Sequence, residues 1–128
     1  MAIRCLIVDD SSRFARDAQE VLEEEGVHVV ALAANGEEGL RLARDLRPDL
    51  ALVDIDLGRE SGLEVVRHLS AEDGGSLAGA VILVSTHAEE QFAELIAASP
   101  AVGFIAKSEL SADAIEAVLS RSHRERVD

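Results

Sequence analysis

Tryptophan and tyrosine are absent from this 128-residue chain, and phenylalanine occurs only as Phe14, Phe92 and Phe104. The core must therefore be built from Leu, Val, Ile and Ala. A single cysteine, Cys5, excludes an internal disulfide. Inside the apolar run Ile3 to Val8 it reads as a small core side chain rather than a reactive thiol. The histidines His28, His68, His87 and His123 lack the i, i+4 spacing of a zinc site. No apolar run approaches the roughly 20 residues that cross a bilayer. The N-terminus, MAIRCLIVDD, passes from a short apolar stretch straight into acids, unlike a signal peptide with its small-residue cleavage site. A cytoplasmic location is expected. Bases are scarce: 12 Lys and Arg face 25 Asp and Glu, a formal net charge of −13. Such a surface repels phosphate backbones and anionic lipids, so neither nucleic acid nor membrane is expected to bind this chain by itself. The length suits one domain with a proper core and is too short for two.

Short apolar runs alternate with helical patterns. Ile3–Val8, Val27–Ala33, Leu50–Val53, Ala80–Val84 and Val102–Ala106 are short and rich in Val, Ile and Leu, as strands are. Between them Phe14, Ala18, Val21 and Leu22 fall at i, i+4, i+7 and i+8. Phe92, Leu95 and Ile96 fall at i, i+3 and i+4, and Ile115, Val118 and Leu119 repeat that spacing. Asn35 with Glu38 three residues later predicts a capping-box helix start, and Gly26 a helix end. Pro48 closes the second helix. Five βα units in succession predict an α/β fold, a doubly wound five-stranded parallel sheet with helices on both faces. Segment 71–79, AEDGGSLAG, reads as a polar surface loop. The charged residues from Ser120 to Asp128 read as the frayed end of the last helix.

Residues 50–58 are LALVDIDLG: a run suited to a strand buried on both faces, then an acid with no base beside it. In sheets of this kind ligands bind beyond the carboxyl ends of the strands. The first strand ends in Asp9 and Asp10, the third in Asp54, the fourth in Ser85 and Thr86, and the fifth leads into Lys107. If the first and third strands are neighbours, three carboxylates converge. Anions a few Å apart repel by roughly a few kcal/mol per pair at an effective dielectric near 20. Either their pKa values rise or a hard cation binds. An oxygen-only donor set, with no Cys or His close by, points to Mg2+. Given a phosphoryl donor, Asp54 is placed to attack phosphorus and form an acyl phosphate. The metal, Lys107 and the Ser85 hydroxyl then stabilise the transferring oxygens.

Five motifs stand in the order and spacing of a known family: VDDS at 8–11, VDIDLG at 53–58, SGLE at 61–64, VST at 84–86 and GFIAKS at 103–108. The chain resembles the response-regulator receiver domains of two-component systems, the CheY-like superfamily, over residues 3–122. The resemblance implies the flavodoxin-like strand order 2-1-3-4-5, a receiver unit at 1–122 and a charged tail at 123–128. It makes Asp54 the phosphoacceptor, with Asp10 a direct Mg2+ ligand, Asp9 a ligand mainly through water, and the Asp56 backbone carbonyl completing the set. Lys107 pairs with the acids and then with the phosphoryl group. Ser85 is the switch hydroxyl and Phe104 the switch aromatic. The implied function is a phosphorylation-dependent signalling switch rather than a conventional enzyme. The implied partners are a sensor histidine kinase or a histidine phosphotransfer protein upstream. Downstream stands a target protein or a DNA-binding effector domain absent from this chain. The face made by the fourth helix, fifth strand and fifth helix would change on phosphorylation and is the surface for a homodimer.

Departures from the family pattern carry expectations of their own. Gly58 stands where the family usually has proline, so a looser loop after Asp54 is expected. Thr86 replaces a commoner alanine and would crowd access to the site. Asp56 and His87 occupy positions that tune phosphoryl lifetime in the family. Ser108 follows Lys107 where proline is common, which resembles receivers of the NarL/FixJ type that carry a helix-turn-helix domain. Two rival functions remain in view. Asp54-Ile55-Asp56 matches the D-x-D of haloacid-dehalogenase-type phosphatases, although there the motif ends the first strand and further acids come later. The other rival is an interaction module that works without phosphorylation.

Overall fold

The apolar runs pair side by side in the computed structural model, which describes residues 3–58, 60–71, 80–86 and 92–127. In chain order the elements are β1 (Arg4–Val8), α1 (Ser12–Glu24), β2 (His28–Ala33), α2 (Gly36–Leu46) and β3 (Leu50–Asp54). A hairpin of β4 (Asp56–Leu57) and β5 (Glu60–Ser61) follows, then α3 (Gly62–Ala71) and β6 (Ala80–Ser85). The chain continues through α4 (Ala93–Ala97), β7 (Gly103–Ala106), a 3-10 turn at Lys107–Glu109 and α5 (Ala112–Val127). The main sheet has the order β2-β1-β3-β6-β7 with every pair parallel. With the small hairpin set aside, this is the 2-1-3-4-5 order implied by the resemblance.

Every residue of β3 is buried, as a central parallel strand covered on both faces requires. Alternate residues feed two core layers. Cys5, Ile7, Leu50, Leu52, Ile82 and Val84 pack with Ala15, Ala18 and Leu22 of α1 and Ile115 and Val118 of α5. Leu6, Val8, Ala51, Val53 and Leu83 pack on the other face with Ala43 of α2 and Val65, Val66 and Leu69 of α3. Burial pushes the Cys5 thiol up to about 12, so it stays a neutral core side chain. Helical spacing overstated two positions: Val21 is 44% exposed and Leu95 is 55% exposed.

The helix ends behave as their sequences require. Asn35 Oδ1 accepts from the Glu38 N–H at 2.9 Å, and Gly26 takes φ +94° just past α1. Before Pro48, Arg47 caps α2 in the left-handed region. The start of α5 uses two caps: Ser111 Oγ accepts from Ala114 N at 3.0 Å, and Glu25 Oε1 accepts from Ala112 N at 2.7 Å. A carboxylate on a helix N-terminus satisfies an orphan donor and complements the helix dipole. Glu25→Ala should therefore cost about 1 kcal/mol, with Ser111 keeping part of the cap. A urea titration checks this, and an unchanged midpoint would count against the cap.

The loop after Asp54, expected to be loose, is closed instead. Asp56 pairs with Ser61 and Leu57 with Glu60 as a short antiparallel hairpin. Gly58 has φ +72°, a conformation that the proline ring forbids. The Glu60 carboxylate accepts from the Gly36 N–H at 2.5 Å, tying the hairpin to the start of α2. Residues 72–79 of the Gly-rich segment, and His87, lie outside the described residues.

Candidate functional site

Parallel register brings the strand-end residues to one edge. Val8 pairs with Val53, so Asp9 and Asp54 follow side by side. Asp54 pairs with Val84, and Ser85 with Ala106, which carries the line on to Lys107. Sequence alone puts these side chains at strand ends; pairing makes them neighbours.

The carboxylate oxygens of Asp9, Asp10 and Asp54 come within 4.8 Å of one another. Asp9 and Asp54 are buried, at 2% and 5% exposure, while Asp10 opens to solvent. Asp9 Oδ1 accepts from the Ser11 N–H at 2.8 Å, and Asp54 Oδ1 from the Asp56 N–H at 3.1 Å. The other oxygen of each faces Lys107. Its Nζ lies 2.7 Å from Asp9 Oδ2 and 3.1 Å from Asp54 Oδ2. The contact with Asp9 is an ion pair without a well-directed hydrogen bond, so that buried oxygen has lone pairs left over. Three oxygen donors with spare acceptor capacity, one facing water, fit a hard divalent cation.

Charge balance in the cluster is incomplete, and the pKa shifts reflect it. Burial raises the Asp54 pKa above the usual carboxylate value, and the Asp9 charge adds to the rise. The Asp56 N–H and Lys107 pull it back without cancelling it. For Lys107, burial works to lower the pKa. Its close contacts with the Asp9 and Asp54 carboxylates, and their charges, outweigh it and hold the ammonium above its usual value. One cation thus serves two buried anions, with a third carboxylate beside them.

Ser85 is 1% exposed at the end of β6, the strand next to Asp54. Thr86, one residue later, is exposed. The Asp56 side chain is also exposed, and the residue engages Asp54 through its backbone. Phe104 lies opposite Leu83 and packs half-buried against the α2–α3 core layer.

Two residues bear on the site without having been assigned to it by sequence. A Cβ on Gly62 would overlap the Asp54 carbonyl, and the Gly62 N–H donates to Ile55 O at 2.7 Å. The ring of Phe14 lies under the Lys107 ammonium. The motif SGLE holds the first of these, but nothing in its composition says which backbone the glycine touches. Helical spacing assigned Phe14 to the core.

The family described as response regulator receiver domain matches residues 5–119. A putative transcriptional regulator of Pseudomonas aeruginosa is 34% identical over 83% of this chain and 50% of its own length. A protein-glutamate methylesterase/protein-glutamine glutaminase of Alkalilimnicola ehrlichii is 41% identical over 54% of this chain and 18% of its own. The chain therefore spans half or less of the length of these curated relatives. Among solved structures, a two-component response regulator of the LuxR family from an Aurantimonas species aligns with a TM-score of 0.82 at 29% identity, covering 100% of both chains. A CheY-like response regulator receiver domain protein from Methanospirillum hungatei aligns at 0.77 with 26% identity, over 98% of this chain and 99% of the other.

Proposed function

This chain belongs to the response regulator receiver family, and from that premise we propose that it is a switch thrown by phosphorylation of Asp54. The single observation that carries this reading is one ammonium, Lys107, bridging two buried carboxylates with a third within 4.8 Å. Phosphoaspartate and Mg2+ are general features of the family. Here Asp9, Asp10, Asp54 and the Asp56 carbonyl would hold the ion, which supplies positive charge to the transferring phosphoryl oxygens.

The chain's own groups account for the rest. An Asp54 carboxylate oxygen attacks phosphorus of a phosphohistidine on a histidine kinase or histidine phosphotransfer protein. An O–P bond forms, the P–N bond breaks, and the imidazole leaves with a proton. Lys107 moves from Asp9 toward the new phosphoryl oxygens, and the Ser85 hydroxyl donates to them. Phe104 turns inward as Ser85 shifts, altering the face of α4, β7 and α5. That face meets a downstream protein, a second copy or an effector domain. Hydrolysis resets the switch, at a rate tuned by Thr86 and His87. Residues 1–122 form the receiver unit, 123–128 a charged tail, and the setting is the cytoplasm. Among the described residues no helix is long and apolar enough to cross a membrane. The phosphatase alternative would need the Asp56 carboxylate as acid and base beside Asp54, whereas it is the backbone of Asp56 that meets Asp54.

Acetyl phosphate with Mg2+ should add the mass of one phosphoryl group to the chain, and a chelator should prevent the gain. Mass spectrometry is the readout, since Trp and Tyr are absent. Mg2+ alone should stabilise the fold by about 2.7 kcal/mol at a hundredfold excess over its Kd. No adduct from acetyl phosphate, phosphoramidate or a phosphorylated kinase would refute the reading.

A further inference from the structure

The Lys107 ammonium has a third neighbour besides its two carboxylates. Nζ lies 4.3 Å from the centroid of the Phe14 ring, well within the roughly 6 Å over which an aromatic face attracts a cation. The contact is built by local structure. Ser11 starts α1, and its Oγ accepts from the Phe14 N–H at 3.2 Å. The Ser11 N–H in turn donates to Asp9 Oδ1 at 2.8 Å. One short stretch, Asp9 to Phe14, thus places both an anion and a ring around the same cation.

The surroundings show why a ring is useful there. A cavity of about 160 Å³ opens beside Lys107, lined by Phe14, Ala18, Val21, Leu22 and Leu110 among others. On that side the lysine stem borders open space rather than packed side chains. A lysine side chain carries about 2 kcal/mol of rotamer entropy, so an ammonium held only by carboxylates that a metal then claims would be free to swing away. A ring face attracts the cation wherever it slides across it, without demanding one bond direction.

We propose that Phe14 is a positioning residue for phosphoryl transfer: its ring holds the Lys107 ammonium over the acid cluster while the ammonium passes from Asp9 to the phosphoryl oxygens. This rests on the function proposed above.

The test uses the full chain and two readouts. The first is the NMR shift of the Lys107 ε-methylene group, which a ring face moves upfield whether or not phosphate is transferred. The second is the rate of phosphoryl uptake from acetyl phosphate at saturating Mg2+. Phe14→Leu should lose the upfield shift and slow uptake about fivefold. Phe14→Trp should keep both. Trifluorophenylalanine at position 14 nearly preserves shape while withdrawing charge from the ring face, so it should slow uptake in the same direction. It also serves if Phe14→Leu fails to fold. Unchanged shift and rate in Phe14→Leu, or an unaffected rate with the fluorinated ring, would overturn the proposal and leave Phe14 as packing. A wild-type chain that takes up no phosphoryl group would bring down the function itself. Uptake that ignores position 14 brings down this inference alone.

Discussion

Asp54→Asn takes up no phosphoryl group from acetyl phosphate, and without Mg2+ its fold is more stable than the wild type at neutral pH. The first effect follows from chemistry: the carboxamide keeps the shape and can still accept from the Asp56 N–H, but it offers no anionic oxygen to phosphorus. The second follows from the raised pKa of Asp54, which already includes the attraction of Lys107. A carboxyl whose folded pKa exceeds its unfolded value keeps a proton that the unfolded chain has released. Stability therefore falls as pH rises from the ordinary 3.8 through the raised folded value. Asparagine never ionises and escapes that loss. Lys107 also pairs with Asp9 at 2.7 Å, a contact that the substitution does not remove. Its own raised pKa contributes stability that is complete below 10.5 and fades above it, outside this window. Urea midpoints of both chains between about pH 4 and pH 8 should diverge upward, with the variant ahead. Saturating Mg2+ should narrow or reverse the gap, because the wild type gains a ligand that the variant holds more weakly. A wild type that is the more stable at pH 8 without metal would contradict the charge imbalance described for this cluster.

Among the described glycines, Gly62→Ala should be the most damaging substitution by a single methyl. The added Cβ would overlap the Asp54 carbonyl oxygen and carbon and the Ile55 Cα. All of these are backbone atoms of the central strand's end, and none can swing aside as a long side chain would. The Gly62 N–H is also bonded to Ile55 O at 2.7 Å, so relief means giving up a hydrogen bond. A loss of roughly 3 kcal/mol or more is expected, beyond ordinary overpacking. For a chain of this size that lowers Tm by about 10 °C. Gly36→Ala is the milder contrast, since its Cβ would meet only the Val65 and Glu60 side chains. Uptake of phosphate should fall in Gly62→Ala even below its melting range, because the carbonyl that must move belongs to Asp54 itself. Melting within about 2 °C of the wild type would mean that the loop follows another path.

The order of elements was readable along the chain because both repeating patterns are strong here. Five short runs rich in Val, Ile and Leu read as strands, and the i, i+3, i+4 apolar spacings between them as helices packed on that sheet. The acid cluster was readable too. Parallel strands present their carboxyl ends at one edge, so Asp9, Asp10, Asp54 and Lys107 had to gather once β1, β3 and β7 shared a sheet. The hairpin β4–β5 escaped notice because strands of two residues have no periodicity, and a glycine at position 58 suggests freedom as readily as a fixed turn. The same limit applies to Glu25, whose partner Ala112 lies 87 residues away.

What the amino-acid order determined by itself was the succession of strands and helices and the charge waiting at each strand end, because both depend on residue types a few positions apart. Only the folded chain decided that Gly62 lies against the Asp54 carbonyl, that Glu60 ties the hairpin to α2, and that the Phe14 ring, packed on the edge of the core, also meets Lys107. Those contacts join residues on different elements, from one loop's length to most of the chain apart. Their geometry follows from how layers pack in three dimensions, which no local pattern records.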